Sequence, residues 1–227
     1  MYSALGFDLD NTLFDQSQHL RSFYRQAGIW ISKRSGVAAA VAEQSFVRTW
    51  ERRTMASPFV FDEALERLGL LRPDWVRELV AQYRAHRCPL TLYDGVRGLL
   101  ERLRRRYPLF LITDGYGELQ RYKVERLGLR PLFDAVVFTA DYGLGWEKPS
   151  VYPFIRAALL LGVRAEQCLF VGDDPERDID GARRARMAAA RVLTGPYRNY
   201  PCQPPYTVLQ EVAELETELG GARAATA

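Results

Sequence analysis

The chain contains 227 residues, of which 48% are hydrophobic and 26% are charged, which is ordinary for a globular protein. This length allows one large domain, or a domain that carries a smaller insertion. A formal net charge of +3 is too small to imply a nucleic-acid polymer as partner. The chain has no apolar stretch of membrane-spanning length and no secretory signal at its start. We therefore expect a cytoplasmic protein without a membrane partner, either a monomer or a homodimer.

Cysteine and lysine are both scarce. The three cysteines follow no CxxC spacing, which argues against a zinc site or a disulfide framework and fits a reducing compartment. Only three of the 31 basic residues are lysines, namely Lys33, Lys123 and Lys148. Because arginine is used almost everywhere else, each lysine is a candidate for a specific role.

The first element of the chain is a short apolar run, residues 4–7, followed at once by Asp8 and Asp10. Such a run predicts a buried parallel strand that ends where the carboxylates begin. Two aspartates at i and i+2 point the same way at a strand end, and their like charges require a cation or a shared proton. The alternative is a turn or helix cap, in which Asp and Asn are common.

The next block, residues 16–90, has helical periodicity throughout. Apolar residues recur at i, i+3, i+4 and i+7 spacing in about four segments. Gly28 is predicted to end the first helix, and Pro58 and Pro73 are predicted to open the third and the fourth. We expect a small helical bundle, inserted as a cap domain.

From residue 91 onward, helices alternate with short apolar strands. The predicted strands cover residues 108–112, 135–138, 168–171 and 190–193. A final helix is predicted from Val208 to Leu219. This order predicts an α/β fold, a doubly wound parallel sheet formed by residues 1–15 and 91–227, with the helical bundle inserted after the first strand.

Polar residues follow three of these strands, and in a parallel sheet all strand ends lie at one edge, where ligands bind. The carboxylates among these polar residues are hard oxygen ligands, which suit Mg²⁺. A threonine hydroxyl with neighbouring backbone N–H groups suits an anion, and a lysine is a common phosphate-binding residue. The residues are Asp8, Asp10, Thr113, Asp114, Lys148, Asp173, Asp174 and Asp178. Together they have the composition of a phosphoryl-transfer site.

The sequence resembles the haloacid dehalogenase superfamily of aspartate-nucleophile phosphatases, in the form with an inserted helical cap. Four short motifs carry the resemblance, and they occur in the family's order over most of the chain. They are Asp8-Leu9-Asp10-Asn11-Thr12, Thr113 after an apolar strand, Glu147-Lys148-Pro149, and Gly172-Asp173-Asp174 with Asp178 four positions later.

The resemblance implies a role for each residue of the site. Asp8 would be the nucleophile that forms an aspartyl-phosphate, and Asp10 the general acid and base. Mg²⁺ would be held by Asp8, Asp173 and the backbone carbonyl of Asp10. The phosphate-binding groups would be Thr113, the backbone N–H groups near Leu9, Asp10 and Asp114, and Lys148, while Asp174 and Asp178 would orient the metal's waters and Lys148. The expected partner is a small phosphorylated metabolite such as a sugar phosphate, a nucleotide or phosphoglycolate.

Two departures from the family pattern and several alternatives stand beside this interpretation. Asn11 occupies a position where many relatives have glycine, and Asp114 one where asparagine is frequent. Asp178 could equally be a carboxylate that stabilises a helix N-terminus. Among functions, a metal-free 2-haloacid dehalogenase is disfavoured by Asp10, because halide leaves without a proton. A phosphomutase would keep all the same residues, and a non-catalytic binding module on this fold would have lost at least one of them.

Overall fold

The structure is a computed structural model that describes residues 2–53, 59–204 and 206–224. Contacts divide the chain into two compact units. The first unit combines Met1–Asp15 with Leu90–Ala227, and the second is Gln16–Pro89.

The first unit is built on a parallel β-sheet. In the part of the chain that is described, its strands are β1 (Ala4–Phe7), β2 (Leu109–Thr113), β3 (Ala135–Phe138), β4 (Cys168–Gly172), β5 (Ala188–Val192) and β6 (Thr207–Leu209). Their order across the sheet is β3-β2-β1-β4-β5-β6, and every neighbouring pair is parallel. The prediction of an α/β fold with a doubly wound sheet is confirmed.

Strand β1 lies at the centre of this sheet, where the direction of strand order reverses. Phe7 is in register with Leu111 of β2 on one side and with Val171 of β4 on the other. Close packing fixes this arrangement, because a Cβ atom at Gly6 would overlap the rings of Phe110 and Phe170. Residues that follow β1 therefore emerge at the switch point, the usual ligand-binding position of such sheets.

In the described residues no helix leads from β5 to β6, but helices lie between each of the other consecutive strands, as parallel neighbours usually require. Those of the first unit are α5 (Val96–Leu103), α6 (Gly117–Arg126), α7 (Tyr152–Leu160), α8 (Gly181–Arg184) and α9 (Leu215–Ala224). One turn of π-helix, Pro175–Asp180, precedes α8 directly. The connection after β2 is short, so α6 begins close to the functional edge of the sheet.

The second unit consists, in its described residues, of helices α1 (Ser17–Ser35), α2 (Ala39–Arg53), α3 (Val60–Arg67) and α4 (Pro73–Ala85). An aromatic core that includes Phe23, Tyr24 and Phe46 holds them together, with Tyr24 stacked on Phe46 at 5.6 Å between ring centroids. Pro58, predicted to open the third helix, lies outside the described residues.

The prediction that Gly28 ends the first helix is wrong. Helix α1 continues to Ser35 and ends at Gly36, whose φ of 76° is left-handed and whose N–H donates to the carbonyl of Ser32. At Gly28 a Cβ atom would lie 2.6 Å from the carbonyl oxygen of Ala39. Gly28 therefore serves the close approach of α2 rather than a helix stop.

The prediction of a helix from Val208 to Leu219 is also wrong at its start. Residues Thr207–Leu209 form the edge strand β6, which pairs with β5, and a 3₁₀ turn precedes α9. In the residues that could be searched, no helix has both the length and the apolar character needed to cross a membrane.

Candidate active site

The loop after β1 turns back on itself and fixes the direction of its two aspartates. The N–H of Asp8 still donates to the carbonyl of Val171 in β4, at 2.9 Å. Beyond it, the N–H of Leu13 donates to the carbonyl of Leu9, and the backbone at Asn11 has a φ of 60°. Asparagine is among the few residues with a side chain that adopt this left-handed conformation readily, so it can occupy a turn position that otherwise favours glycine.

The buried ammonium group of Lys148 joins two of the predicted carboxylates. Its Nζ atom donates to Oδ1 of Asp8 at 2.6 Å and to Oδ1 of Asp178 at 2.6 Å. A third, longer contact reaches the carbonyl of Ile112 at the end of β2. Lys148 is thus held between the ends of the central strands.

The π-helical turn Pro175–Asp180 brings Asp178 back over the end of β4. A Cβ atom at Gly172 would overlap the Asp178 carboxylate, so glycine is needed at this approach. The N–H of Asp174 donates to Oδ2 of Asp178 at 3.1 Å. The side chain of Asp174 itself caps the turn, accepting from the N–H groups of Glu176 and Arg177. Asp174 therefore influences Lys148 through Asp178.

Three carboxylates gather beside this lysine. Oxygen atoms of Asp8, Asp173 and Asp178 all lie within 4.8 Å of one another, and all three side chains are buried. The Thr12 hydroxyl lies 3.2 Å from Oδ2 of Asp8 and 3.5 Å from Oδ1 of Asp173. Among the residues that the structure describes, Oδ2 of Asp173 is buried without a hydrogen-bond partner. An unsatisfied buried carboxylate oxygen among two other carboxylates fits a site for a hard divalent cation.

The pKa shifts in the site also indicate an excess of negative charge. Burial raises the pKa of Asp8 to about 8, although the Lys148 ammonium opposes the rise. Burial, and then the charges of Asp178 and Asp8, raise the pKa of Asp173 well above its ordinary range. Burial alone would lower the pKa of Lys148, but Asp178 and Asp8 outweigh it and raise that pKa. One ammonium group does not balance three carboxylates.

Asp10 points away from this cluster to a second buried lysine. Nζ of Lys123 donates to both carboxylate oxygens of Asp10, at 2.7 and 3.0 Å, and Nε2 of Gln120 donates to Oδ2 at 2.8 Å. The same Nε2 atom lies 2.5 Å from the Thr113 hydroxyl. Asp10 and Thr113, from the ends of β1 and β2, are therefore linked through Gln120 of α6.

Asp114, whose role the sequence does not indicate, connects two loops. Its Oδ1 atom accepts from the Thr139 hydroxyl at 3.0 Å and from the backbone N–H of Lys148 at 3.2 Å. Oδ2 of Asp114 is buried and has no hydrogen-bond partner in the described part of the chain. Asp114 thus anchors the backbone from which Lys148 reaches Asp8.

Sequence reasoning missed three residues at this edge of the sheet, Thr12, Gln120 and Lys123. Thr12 lies inside the first motif, but its hydroxyl contacts depend on the turn geometry. Lys123 had one signal, the scarcity of lysine: of the three lysines, Lys33 is exposed while Lys123 and Lys148 are buried, each paired with an aspartate that follows β1. Nothing in the sequence indicates which face of α6 adjoins β1.

The arrangement defines a class of site. A buried carboxylate beside an ammonium group, a hydroxyl and two further carboxylates can present a nucleophile to a phosphoryl or carbon centre and can hold a cation. A parallel sheet with this site at its switch point agrees with the hydrolase family that the motifs resemble.

Comparison with known proteins assigns the family. Residues 2–186 match the model of haloacid dehalogenase-like hydrolases, and the chain belongs to this family. The sequence-based assignment, and with it the prediction of an enzyme of this class, is confirmed.

Relatives in curated collections carry phosphatase names. The chain is 32% identical over 206 residues to the glyceraldehyde 3-phosphate phosphatase of Methanopyrus kandleri, covering 88% of this chain and 87% of the relative. It is 38% identical over 144 residues to the phosphoserine phosphatase of Thermus thermophilus, covering 62% of this chain and 57% of the relative. Among solved structures, the HAD-hydrolase YfnB from Bacillus subtilis, bound to magnesium, has a similar fold, with a TM-score of 0.69, 22% identity, and coverage of 96% and 99% of the two chains.

Proposed function

We propose that this protein is a Mg²⁺-dependent phosphatase that hydrolyses phosphate monoesters of small metabolites through an aspartyl-phosphate on Asp8. The observation that carries the proposal is the meeting of Asp8, Lys148 and Asp173 at the switch point of the sheet. Phosphatases among the relatives support the reaction class.

Asp8 is the proposed nucleophile because it lies at the centre of the site. One carboxylate oxygen attacks the phosphorus in line with the ester oxygen; a new Asp8–phosphorus bond forms as the phosphorus–ester bond breaks. Lys148 already contacts Oδ1 of Asp8, so its positive charge is placed where negative charge on the transferring phosphoryl group develops. The Thr113 hydroxyl and the backbone N–H of Asp114 are proposed to bind the remaining phosphoryl oxygens.

Asp10 is the proposed proton carrier for both halves of the reaction. In its protonated form it gives its proton to the departing ester oxygen, which leaves as an alcohol. As a carboxylate it then accepts a proton from the water that attacks the phosphorus and releases Asp8. The acid that gave its proton is restored, and the products are an alcohol and inorganic phosphate.

The cation site fits Mg²⁺ on the chemistry of its donors. Asp8 and Asp173, with the backbone carbonyl of Asp10, would hold the ion. Oδ2 of Asp173, which has no hydrogen-bond partner among the described residues, is available to it. When bound, Mg²⁺ would neutralise charge on the carboxylates and the phosphoryl oxygens. Asp178 is proposed to keep Lys148 in place, and Asp174 to keep Asp178 in place.

A panel of phosphate esters tests the proposal. Glyceraldehyde 3-phosphate, phosphoserine, phosphoglycolate, a sugar phosphate and a nucleoside monophosphate would each be assayed for phosphate release with Mg²⁺ and with EDTA. We expect turnover of at least one ester that requires Mg²⁺ and falls by at least about 10³-fold in Asp8→Asn, since the nucleophile is lost. Analysis of the organic product would detect a mutase, which returns an isomeric ester instead of an alcohol.

Two outcomes would contradict it. One is that no ester in the panel is hydrolysed by the folded wild-type protein with Mg²⁺. The other is that Asp8→Asn retains full activity, which would show that Asp8 is not the nucleophile. Lys33→Met, a change at an exposed lysine in the helical unit, is the control for the effects of substitution and purification.

A further inference from the structure

The carboxylate of Asp10 is held by two side chains of helix α6. Lys123 contacts both of its oxygens, and Gln120 donates to Oδ2. The Lys123 side chain is only 2% exposed, whereas that of Asp10 is 16% exposed, so the carboxylate keeps access to the surroundings while its support is enclosed. A buried lysine that bonds to both oxygens of a carboxylate restricts its rotation.

The spacing of the two supporting residues explains how they reach the same group. Gln120 and Lys123 are three residues apart in α6 and therefore lie on one face of the helix. Helix α6 begins four residues after Thr113, the end of β2, and β2 is the direct neighbour of β1. The register of two adjacent strands thus sets the distance between this helix face and Asp10.

Gln120 also ties Asp10 to the anion-binding group. Its Nε2 atom carries two hydrogens, and its contacts are a carboxylate oxygen of Asp10 and the hydroxyl oxygen of Thr113. Because the Thr113 oxygen accepts this bond, its own O–H hydrogen is free to be directed at another acceptor. The same amide therefore orients both the acid and the hydroxyl.

The two buried lysines divide the site between them. Lys148 is paired with Asp8 and Asp178, whereas the ion pair of Lys123 in the described structure is with Asp10. Both ammonium groups are buried and paired with carboxylates, but that of Lys148 contacts the proposed nucleophile. Lys123 instead directs its ammonium group to the proposed proton carrier, and its Nζ lies 5.8 Å from the centroid of the Phe14 ring.

We propose that Lys123 and Gln120 are positioning residues that hold the Asp10 carboxylate for proton transfer to the leaving ester oxygen and from the attacking water. The inference rests on the proposed phosphatase function, and it adds a residue pair outside the four motifs. In the first half-reaction the ester oxygen receives the electron pair of the broken phosphorus–oxygen bond and the proton of Asp10. If Asp10 is misplaced, this step should slow most for leaving groups that must be protonated as they depart, and least for leaving groups that are stable as anions.

Two esters with the same phosphoryl group but different leaving groups make the test. One is the best alkyl ester of the panel, and the other is p-nitrophenyl phosphate, whose leaving group departs without protonation. In Lys123→Met we expect kcat/KM for the alkyl ester to fall by about 100-fold and kcat/KM for the aryl ester by less than about 10-fold. Asp10→Asn should show the same selective loss, and Lys123→Arg, which keeps the charge, should recover part of it.

A second readout concerns the water step. With p-nitrophenyl phosphate, the Lys123→Met enzyme should release a rapid burst of nitrophenol followed by slow turnover, because phosphoenzyme forms normally but is hydrolysed slowly. Gln120→Ala should give a weaker form of both effects. If circular dichroism shows that Lys123→Met does not fold, Gln120→Ala takes its place in the comparison of the two esters. Lys33→Met is the matched lysine control and should behave as wild type.

In Lys123→Met and Gln120→Ala, kcat/KM could instead fall equally for the two esters, without a burst. That result would assign these residues a structural role, and it would overturn this inference but not the proposed phosphatase function. Unchanged kinetics in both folded variants would overturn the inference as well. If the wild-type protein hydrolysed neither ester, the proposed function itself would fail, which separates the two results.

Discussion

The Nζ atom of Lys148 lies 2.6 Å from Oδ1 of Asp8, although 140 residues separate the two in sequence. The pair is buried, and Lys148 also bonds to Asp178 at 2.6 Å. A single cation therefore contacts both the proposed nucleophile and a second carboxylate. We therefore expect Lys148 to affect both stability and reactivity.

Replacement of Lys148 by methionine should damage both properties. It leaves Asp8 and Asp178 buried without their cation, for which we expect a loss of about 3 kcal/mol in the free energy of unfolding. Loss of its charge at the phosphoryl group should lower kcat by about 10²–10³-fold. Chemical denaturation and steady-state kinetics would measure the two effects, with Lys33→Met as the control. A Lys148→Met protein with wild-type kcat would show that Lys148 has no part in the reaction.

Stability should depend on pH in a direction set by the buried carboxylates. Burial raises the pKa of Asp8 to about 8 and that of Asp173 well above the unfolded value. For groups whose pKa is raised on folding, the stabilising contribution is complete below the unfolded pKa of about 4 and is lost as the pH rises through the folded pKa. In EDTA, the free energy of unfolding should therefore decrease between about pH 5 and pH 8.

Added Mg²⁺ should reverse this loss, because a cation favours the ionised carboxylates. We expect thermal denaturation to show a larger Mg²⁺-induced rise in Tm at the upper end of that pH range than at the lower end. Asp173→Asn should reduce both the pH dependence in EDTA and the response to Mg²⁺. A Tm that responds equally to Mg²⁺ at both ends of the range, or that is unaffected by the ion, would contradict a carboxylate-bound cation at this site.

The approach of Asp178 to the end of β4 makes Gly172 sensitive to substitution. A methyl group there would overlap the Asp178 carboxylate and displace it from Lys148. Gly172→Ala should cost roughly 1–3 kcal/mol in stability, as overpacked sites do, and should lower kcat because Lys148 loses its support. Gly220→Ala in α9 is the matched control, since nothing lies within 4 Å of a Cβ atom there. Equal behaviour of the two variants would show that Asp178 does not depend on this approach.

The strands that carry the site could be predicted because strands buried on both faces appear as continuous apolar runs. Because these strands are parallel, Asp8 and Asp173 could be placed at one edge of the sheet without any knowledge of side-chain packing. Strand β6 was missed because it has only three residues, lies at the edge of the sheet and contains one buried residue, Leu209. Its strand conformation depends on pairing with β5, which a local pattern does not contain.

The residues of the site could be predicted from the sequence more readily than the contacts between them. The pairing of Lys123 with Asp10 depends on which face of α6 packs beside β1, and the hydrophobic pattern of this helix is weak because its polar residues Gln120 and Lys123 are themselves buried. Similarly, the N-cap role of Asp174 and the contact of Asp178 with Lys148 are decided by one turn of π-helix. Such a turn has no periodicity to read.

We predict that Asp8 becomes covalently phosphorylated during turnover. The most direct measurement is to quench the enzyme with acid while it hydrolyses its best ester, and to analyse the peptide that contains Asp8 by mass spectrometry. We predict a phosphoryl group on Asp8 that accumulates further in Asp10→Asn, because water attack is slowed, and that is absent from Asp8→Asn. Turnover with Asp8 unmodified at every quench time, in wild type and in Asp10→Asn, would show that Asp8 is not the nucleophile.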